Sequence, residues 1–130
     1  MIGVVDNGGR ALVSVRLRKS VDSDVAVVEA WIDTGFTGDL VLPVVAIENL
    51  ELEPSGSVDA ILADGSQIEL SVYSCVIEWF GNTKTLEIIA NEGGCPLLGV
   101  GLLLELELRI DYCNLRLELS PAKKDEVSVE

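Results

Sequence analysis

The sequence contains no histidine among its 130 residues. Nucleophilic serine and cysteine side chains usually depend on histidine as their proton acceptor, and most zinc sites also use it as a ligand. The absence of histidine therefore excludes a Ser-His or Cys-His nucleophile and most zinc sites. We expect neither a bound metal nor a cofactor.

Positive charge is also scarce, because nine Lys and Arg residues stand against 22 Asp and Glu residues, which gives a formal net charge of −13. Phosphate groups are bound by clustered Lys and Arg, whereas the basic residues here are scattered along the chain. The composition argues against nucleic acid or an anionic membrane as a partner. It favours a solvated acidic surface, and the alternative is an acidic cleft that prefers cationic peptides.

Cysteines are few and long apolar runs are absent. Cys75, Cys95 and Cys113 lack the spacing of metal ligands, which predicts reduced thiols in a cytosolic compartment. The longest apolar run, residues 96–104, is too short to cross a bilayer. Residues 1–10 do not have the form of a signal peptide. We therefore expect a cytoplasmic protein that has no membrane partner.

Aromatic residues make up only 5% of the chain, whereas apolar residues make up 48%, so the predicted core is aliphatic. The length fits one domain with a substantial core and leaves no room for a second. Val, Ile and Leu occur in alternating patterns that favour strands. The positive mean hydropathy suggests that some apolar surface is buried against a partner.

The alternation predicts a chain of short strands with one short helix. Pro43 can open that helix, which would run through Leu50, and Asp64-Gly65-Ser66 forms a hairpin turn. We assign residues 1–120 to the folded domain, residues 53–57 to a loop, and residues 121–130 to a polar, disordered tail. Strands are predicted over residues 1–6, 11–18, 25–32, 40–42, 58–63, 67–79, 85–90, 97–98, 104–110 and 115–119.

One acidic residue stands between two apolar runs. The first run ends at Ile32, Asp33-Thr34-Gly35 follows, and residues 40–42 form the second run. A lone carboxylate between hydrophobic strands is costly unless the protein uses it, and glycine allows the sharp turn that brings amides close to the acid. The pattern predicts an acid presented in a cleft, although Asp, Thr and Gly are also ordinary turn residues.

Two motifs carry a family resemblance. Residues 32–38, Ile-Asp-Thr-Gly-Phe-Thr-Gly, followed by Leu-Val-Leu-Pro at 40–43, resemble the active-site motif of retropepsin-like aspartic proteases, in particular the small prokaryotic branch. Residues 96–103, Pro-Leu-Leu-Gly-Val-Gly-Leu-Leu, resemble the hydrophobic-hydrophobic-Gly element that packs beside the catalytic loop in that family. The resemblance covers about residues 11–120. It implies an all-β, retropepsin-like closed barrel with one or two short helices and a single-lobe subunit.

Aspartic proteolysis needs two carboxylates that share one proton, yet this sequence has a single hydrophobic-Asp-Thr-Gly run. The other Asp-Gly, which follows Ala63, lacks the hydroxyl residue. A working pair therefore requires Asp33 from each of two copies, that is, a homodimer acting on a peptide or protein substrate.

The resemblance also implies roles for individual residues. Thr34 would form a hydrogen bond across the dimer axis, and the Gly35 backbone would hold the two carboxylates coplanar. Phe36 is a candidate substrate contact, although core packing is the stronger interpretation of its sequence context. Residues 63–66, Ala63, Asp64, Gly65 and Ser66, correspond to the flap that closes over substrate. The terminal strands, residues 1–6 and 115–119, would form the subunit interface.

The chain departs from the retroviral pattern at two positions. An acid two residues after the Asp-Thr-Gly and an arginine after the downstream glycine are replaced by Thr37 and Val100. Removal of both partners of a buried ion pair can be nearly neutral, which fits a branch with a different interface. The alternative is a non-catalytic peptide-binding or dimerisation module that retains the protease fold.

Overall fold

A computed structural model describes residues 1–125 as one ten-stranded sheet with one α-helix and one 3₁₀ turn. The predicted all-β fold with a short helix is confirmed. The strands are β1 Ile2–Val5, β2 Ala11–Arg18, β3 Ala26–Ile32, β4 Leu40–Pro43, β5 Glu53–Ile61, β6 Gln67–Trp79, β7 Asn82–Asn91, β8 Leu97–Leu98, β9 Leu106–Asp111 and β10 Arg116–Pro121; the helix α1 is Val44–Leu50, and the 3₁₀ turn is Val100–Leu102.

The strand order is β5-β6-β7-β4-β8-β3-β2-β1-β10-β9. Pairing of residues 16–18 of β2 with residues 76–78 of β6 joins six of these strands, β6 to β2, into a ring. Three strands, β1, β10 and β9, extend the sheet beyond β2, whereas β5 extends it beyond β6. The outer edges of β5 and β9 are therefore the two ends of the sheet.

The core is aliphatic, as the composition predicts. Along β2 every second residue is buried, from Ala11 to Leu17, because alternate side chains of a strand point to opposite faces. Leu117 and Leu119 of β10 join the same cluster, as do Ile32 and Leu98 of the central strands. Each such side chain contributes roughly 1.5–3 kcal/mol by leaving water. The core therefore continues from the ring under the β1-β10-β9 extension.

The helix α1 begins after Pro43, which has the extended conformation of an N-cap residue (φ −59°, ψ 149°). It ends at Glu51, whose left-handed φ of 54° lets its N–H reach the carbonyl of Glu48. Ile47 is the buried residue of this helix. The helix predicted from Pro43 to Leu50 is thus confirmed.

The prediction of a loop at residues 53–57 is wrong, because β5 begins at Glu53. Pro54 and Gly56 disturb the strand, since its register against β6 shifts between them. This irregularity is a β-bulge, which bends a strand without ending it. The β5–β6 hairpin is therefore longer than the sequence indicated.

The terminal strands do not have the free edges that the predicted subunit interface needs. Within one chain, β1 pairs with β2 on one side and with β10 on the other, and β10 also pairs with β9. Both strands therefore have both edges occupied, so strand pairing of residues 1–6 or 115–119 with a second copy is not available. A dimer of this chain must use another surface.

The C-terminal segment predicted as a disordered tail begins inside β10, which continues to Pro121. The Ala122 N–H then donates to the Glu105 carbonyl oxygen at 2.9 Å. The end of that predicted tail, residues 126–130, lies outside the described residues. Over residues 1–125, no helix has the length and apolar character needed to span a bilayer.

Candidate active site

The Asp33 loop begins where β3 ends. The Asp33 N–H donates to the Leu98 carbonyl oxygen at 2.9 Å, which anchors the start of the loop to β8. One carboxylate oxygen, Oδ1, accepts the Gly35 N–H at 3.0 Å. The residue is half-buried, so its carboxylate is oriented by its own turn and still reaches solvent. This geometry matches the predicted presentation of one acid at the end of an apolar strand.

Backbone hydrogen bonds join the loop to the downstream glycine motif. The Gly99 N–H donates to the Asp39 carbonyl oxygen at 2.8 Å, and the Val100 N–H donates to that of Phe36 at 2.7 Å. A third bond, at 2.9 Å, runs from the Gly101 N–H to the Gly38 carbonyl oxygen. Each such bond contributes about 1 kcal/mol net. The two sequence motifs are therefore one structural unit.

The glycines of the downstream motif are required by close approach. A Cβ atom on Gly99 would lie 2.2 Å from the Gly38 carbonyl oxygen, and one on Gly101 would lie 2.2 Å from the Asp39 carboxylate. A side chain at Gly99 would displace the backbone of the Asp33 loop, whereas one at Gly101 would displace the Asp39 carboxylate and lie 3.0 Å from the Gly38 carbonyl oxygen. The structure thus explains why both positions hold glycine.

A pocket of about 370 Å³ is lined in part by Asp33. Trp31 forms part of its wall and is 39% exposed, unlike the buried residues on either side of it, Ala30 and Ile32. The sequence reasoning missed Trp31 and Leu97 as site residues. The available signal was the outward position of an aromatic residue two places before the acid. The pocket is lined by Trp31, Ile32, Asp33, Thr34 and Leu97.

Arg10 lies over the ring of Trp31. Its guanidinium carbon lies 5.9 Å from the ring centroid, within the range of a cation–π contact. Arg10 also pairs with Asp6 at 2.7 Å, and its backbone N–H holds the pKa of the Asp6 carboxyl below its usual value. The wall of the pocket is therefore apolar, with one neutralised ion pair beside it.

Apolar side chains continue from the pocket across the outer face of the sheet. Leu97, Trp31, Leu12 and Val4 stand opposite one another on β8, β3, β2 and β1. Val4 is 52% exposed, and Ile2, two residues before it, is 64% exposed. The pocket is thus the end of an apolar row and not an isolated depression.

The other sequence-predicted site residues lie in three places. Thr34 is exposed and lines the pocket, and Gly35 supplies the amide that binds the carboxylate. Phe36 does not line the pocket. Its ring covers Gly38 and Gly99, since a Cβ on either glycine would come within 2.5 Å of it. Phe36 therefore packs the loop against the downstream motif.

The predicted flap residues form the turn of the β5–β6 hairpin. The Leu62 N–H donates to the Ser66 carbonyl oxygen at 2.8 Å, and Gly65 has a φ of 85°, which favours glycine. The Asp64 carboxylate accepts hydrogen bonds from the Ser66 hydroxyl at 2.6 Å and from the Ser66 backbone N–H at 2.9 Å. These two hydrogen bonds lower the pKa of the Asp64 carboxyl. The turn is closed upon itself, and the Asp33 pocket is lined by other residues.

The β5–β6 hairpin has no core of its own at this end. All residues of β5 but Ala60 are exposed, as are Gln67, Ile68 and Glu69 of β6. Over the described part of the chain there is no cluster of three or more His, Cys, Asp or Glu side chains that could hold a metal ion.

Comparison with known proteins shows structural similarity without sequence similarity. The chain is similar to a retropepsin-like aspartic protease from Rickettsia conorii, with a TM-score of 0.61 and 17% identity over 90% of this chain and 88% of the other. It is also similar to EIAV protease complexed with the inhibitor HBY-793, with a TM-score of 0.54 and 17% identity over 75% of this chain and 88% of that one. No protein family matches the sequence, and no curated protein matches it either.

Proposed function

The chain has the retropepsin-like fold, and from this premise we propose that two copies of it form an aspartic endopeptidase with one Asp33 from each copy. The observation that carries the proposal is the geometry of Asp33. Its carboxylate is oriented by the Gly35 amide, the residue lines a pocket, and its loop is fixed to the glycine motif by three backbone hydrogen bonds.

The chemistry requires a second carboxylate, and nothing in the pocket of one chain supplies it. Two carboxylates a few ångströms apart cannot both ionise, so they share one proton. The ionised member takes a proton from a bound water, which attacks the peptide carbonyl, while the protonated member donates its proton to the carbonyl oxygen. A two-fold axis next to Asp33 provides this arrangement without histidine or a covalent intermediate.

The neighbouring residues have positioning roles in this proposal. The Thr34 hydroxyl is exposed and forms no hydrogen bond with any of residues 1–125, so it is available to a second copy. The Gly35 amide keeps the carboxylate in one orientation. Both roles follow what the family resemblance implies for the motif.

The pocket wall indicates which substrate residues would bind. Trp31 and Leu97 are apolar, and the nearby Arg10 charge is neutralised by Asp6. A volume of about 370 Å³ accommodates a large apolar side chain of a peptide. We therefore expect cleavage beside an apolar residue, with the β5–β6 hairpin, including Asp64, Gly65 and Ser66, covering the bound peptide.

The test is cleavage of a peptide library by the wild type and by Asp33→Asn, assayed from acid to neutral pH. Asparagine preserves the size of the side chain and removes its charge and its proton, so we expect complete loss of cleavage with an unchanged thermal midpoint. Equal cleavage by both proteins would refute the catalytic proposal. Peptide binding without cleavage by either protein would instead support the non-catalytic binding module.

A further inference from the structure

The outer edge of β9 is an unpaired strand edge. β9 pairs with β10 on one side, and no strand among residues 1–125 pairs with its other side. Unpaired edges are usually protected by proline, a bulge or a covering segment. The opposite end of the sheet has such protection, because β5 carries Pro54 and a bulge. β9 has neither, and its register against β10 is regular over all six residues.

The hydrogen-bond pattern identifies the groups that this edge presents. In antiparallel strands, alternate residues direct their N–H and C=O groups to opposite sides. Leu119 exchanges backbone bonds with Met1, so the even-numbered residues of β10 face β9. The bond from the Ala122 N–H to the Glu105 carbonyl confirms this parity. Odd-numbered residues of β9 are therefore bonded to β10, and Leu106, Leu108 and Ile110 direct their backbone groups outward. The Leu106 N–H is already bonded to the Leu103 carbonyl oxygen at 3.0 Å, so Leu106 offers its carbonyl oxygen alone.

The sequence of the edge is complementary to itself. When two copies of β9 lie antiparallel with Leu108 opposite Leu108, Glu107 of each copy faces Arg109 of the other, and Leu106 faces Ile110. Opposite charges in such cross-strand positions stabilise a sheet. Arg109 forms no ion pair within the part of the chain that the structure describes, so its charge is available.

Exposed apolar residues flank the strand in the same symmetric way. Leu104 is 67% exposed and Tyr112 is 61% exposed. They lie just outside the two ends of β9, so antiparallel pairing brings the Leu104 end of one copy towards the Tyr112 end of the other. The like-charged residues nearest to each other in this register are Glu105 of one copy and Asp111 of the other, but Glu105 precedes β9 and has a φ of 66°, so it is not part of the paired strand. The Asp111 carboxylate is directed into its own turn by bonds from the Asn114 side chain and from the backbone N–H groups of Asn114 and Cys113.

The other registers that align the outward backbone groups are less favourable. A shift of the partner by two residues in one direction places Glu107 opposite Glu107, and the same shift in the other direction places Arg109 opposite Arg109. Like charges directly opposite each other destabilise a strand pair. Registers shifted further leave fewer residues paired. The Leu108-centred register pairs five residues of β9, as the Arg109-centred register does, and it is the one of the three that places opposite charges together.

We propose that the outer edge of β9 pairs with β9 of a second copy in this register and forms the homodimer interface. The two sheets then become one continuous sheet, with four intersubunit backbone bonds made by Leu106, Leu108 and Ile110. The inner side chains of β9 already pack on the cluster that contains Ile32 and Leu98, which precede Asp33 and Gly99. The pairing of the two β9 edges is independent of the proposed function. The further claim that this dimer brings the two Asp33 residues together rests on the proposed function.

Charge reversal tests the register on the full-length chain. By sedimentation equilibrium, we expect Glu107→Arg and Arg109→Glu each to raise the dimer dissociation constant about tenfold or more, because each places like charges opposite one another at two positions. Mixing the two variants in equal amounts restores both attractive pairs, and we expect a heterodimer of wild-type affinity. Glu29→Arg, on the exposed face of β3, is the matched control and leaves the dimer unchanged.

Recovery in the mixture also shows that both variants are folded. Wild-type affinity of each single variant, or no recovery in the mixture, would overturn the interface. Cleavage of peptides by a Glu107→Arg protein whose dimer is undisturbed would refute the interface and keep the proposed function. A dimer that responds to these charge reversals as expected but cleaves no peptide would support the interface and refute the proposed function.

Amide hydrogen exchange gives a second measure that does not depend on charge. In the dimer, we expect slow exchange at Leu108 and Ile110, and fast exchange at both in the Glu107→Arg monomer. The Glu107 and Arg109 amides of the wild type and the corresponding amides of the variant stay protected in both states, because they are bonded to β10. Protection of Leu108 and Ile110 in the monomer would mean that the chain covers its own edge, and this result would also overturn the proposal.

Discussion

Gly99→Ala tests whether close packing of the glycine motif holds the Asp33 loop in place. Gly99 has an extended conformation with φ −98° and ψ 179°, which alanine adopts without strain. The new methyl group would nevertheless lie 2.2 Å from the Gly38 carbonyl oxygen and 2.7 Å from that of Phe36. The cost of this substitution is therefore steric and does not arise from the backbone conformation.

The size of the effect follows from what the methyl group meets. Overpacking costs about 1–3 kcal/mol, and occasionally more. Two backbone oxygens cannot move aside as a flexible side chain can, so we expect the upper end, about 3 kcal/mol or more. If the loop shifts, it also loses the bonds that Gly99 and Val100 donate to it, each worth about 1 kcal/mol. For a domain of this size the thermal midpoint falls by roughly 10 °C.

The assay is guanidinium denaturation together with calorimetry, and Gly94→Ala is the matched control. A Cβ on Gly94 would meet no atom within 4 Å. Its replacement should leave stability unchanged or raise it by about 0.4–1 kcal/mol through the unfolded state. A Gly99→Ala protein as stable as Gly94→Ala would refute the argument that the two motifs are locked together by close approach.

Two further predictions concern the body of the barrel. Glu78 accepts hydrogen bonds from Arg16 and Arg18, which lower its pKa from the ordinary 4.5. The stabilisation that these hydrogen bonds give is present above pH 4.5 and is lost as the pH falls and Glu78 is protonated. Glu78→Gln should therefore be less stable than the wild type in urea at pH 7 and equally stable at a pH where Glu78 is protonated. A stability difference that does not depend on pH would contradict this. Trp79 donates its indole N–H to the Leu102 carbonyl at 3.0 Å inside the core, so Trp79→Phe should cost about 1–3 kcal/mol by chemical denaturation, and an unchanged midpoint would contradict the contact.

Local patterns were sufficient to predict most of the sheet. The predicted bounds of β2 and β6 agree with the structure although the alternation is not strict, since Leu12 occupies a polar position of β2 and β6 changes its buried face between Val72 and Cys75. The exceptions are positions where the backbone departs from regular geometry. Glu105 has a φ of 66°, so β9 begins at Leu106 although the alternation starts two residues earlier. Alternation records which face a side chain occupies and does not record the backbone torsions.

The partners of the terminal strands could not be predicted from local patterns. Met1 and Leu119 exchange backbone bonds across most of the chain length, and nothing within either segment specifies that pairing. For the site, the order of Asp33 and Gly99 along the chain indicated the loop, whereas Trp31 and Leu97 were missed. Their place in the pocket depends on the parallel pairing of β3 with β8, which joins residues distant in sequence.

The most direct test of a site made from one Asp33 per chain is a subunit-mixing assay. Asp33→Asn protein is added in increasing amounts to a constant, fully dimeric concentration of the wild type, and peptide cleavage is measured after the subunits have exchanged. Mixed dimers hold one carboxylate, so an equal amount of the variant should lower cleavage to about one half, and a large excess should abolish it. Cleavage that does not change as the variant is added would contradict the shared site.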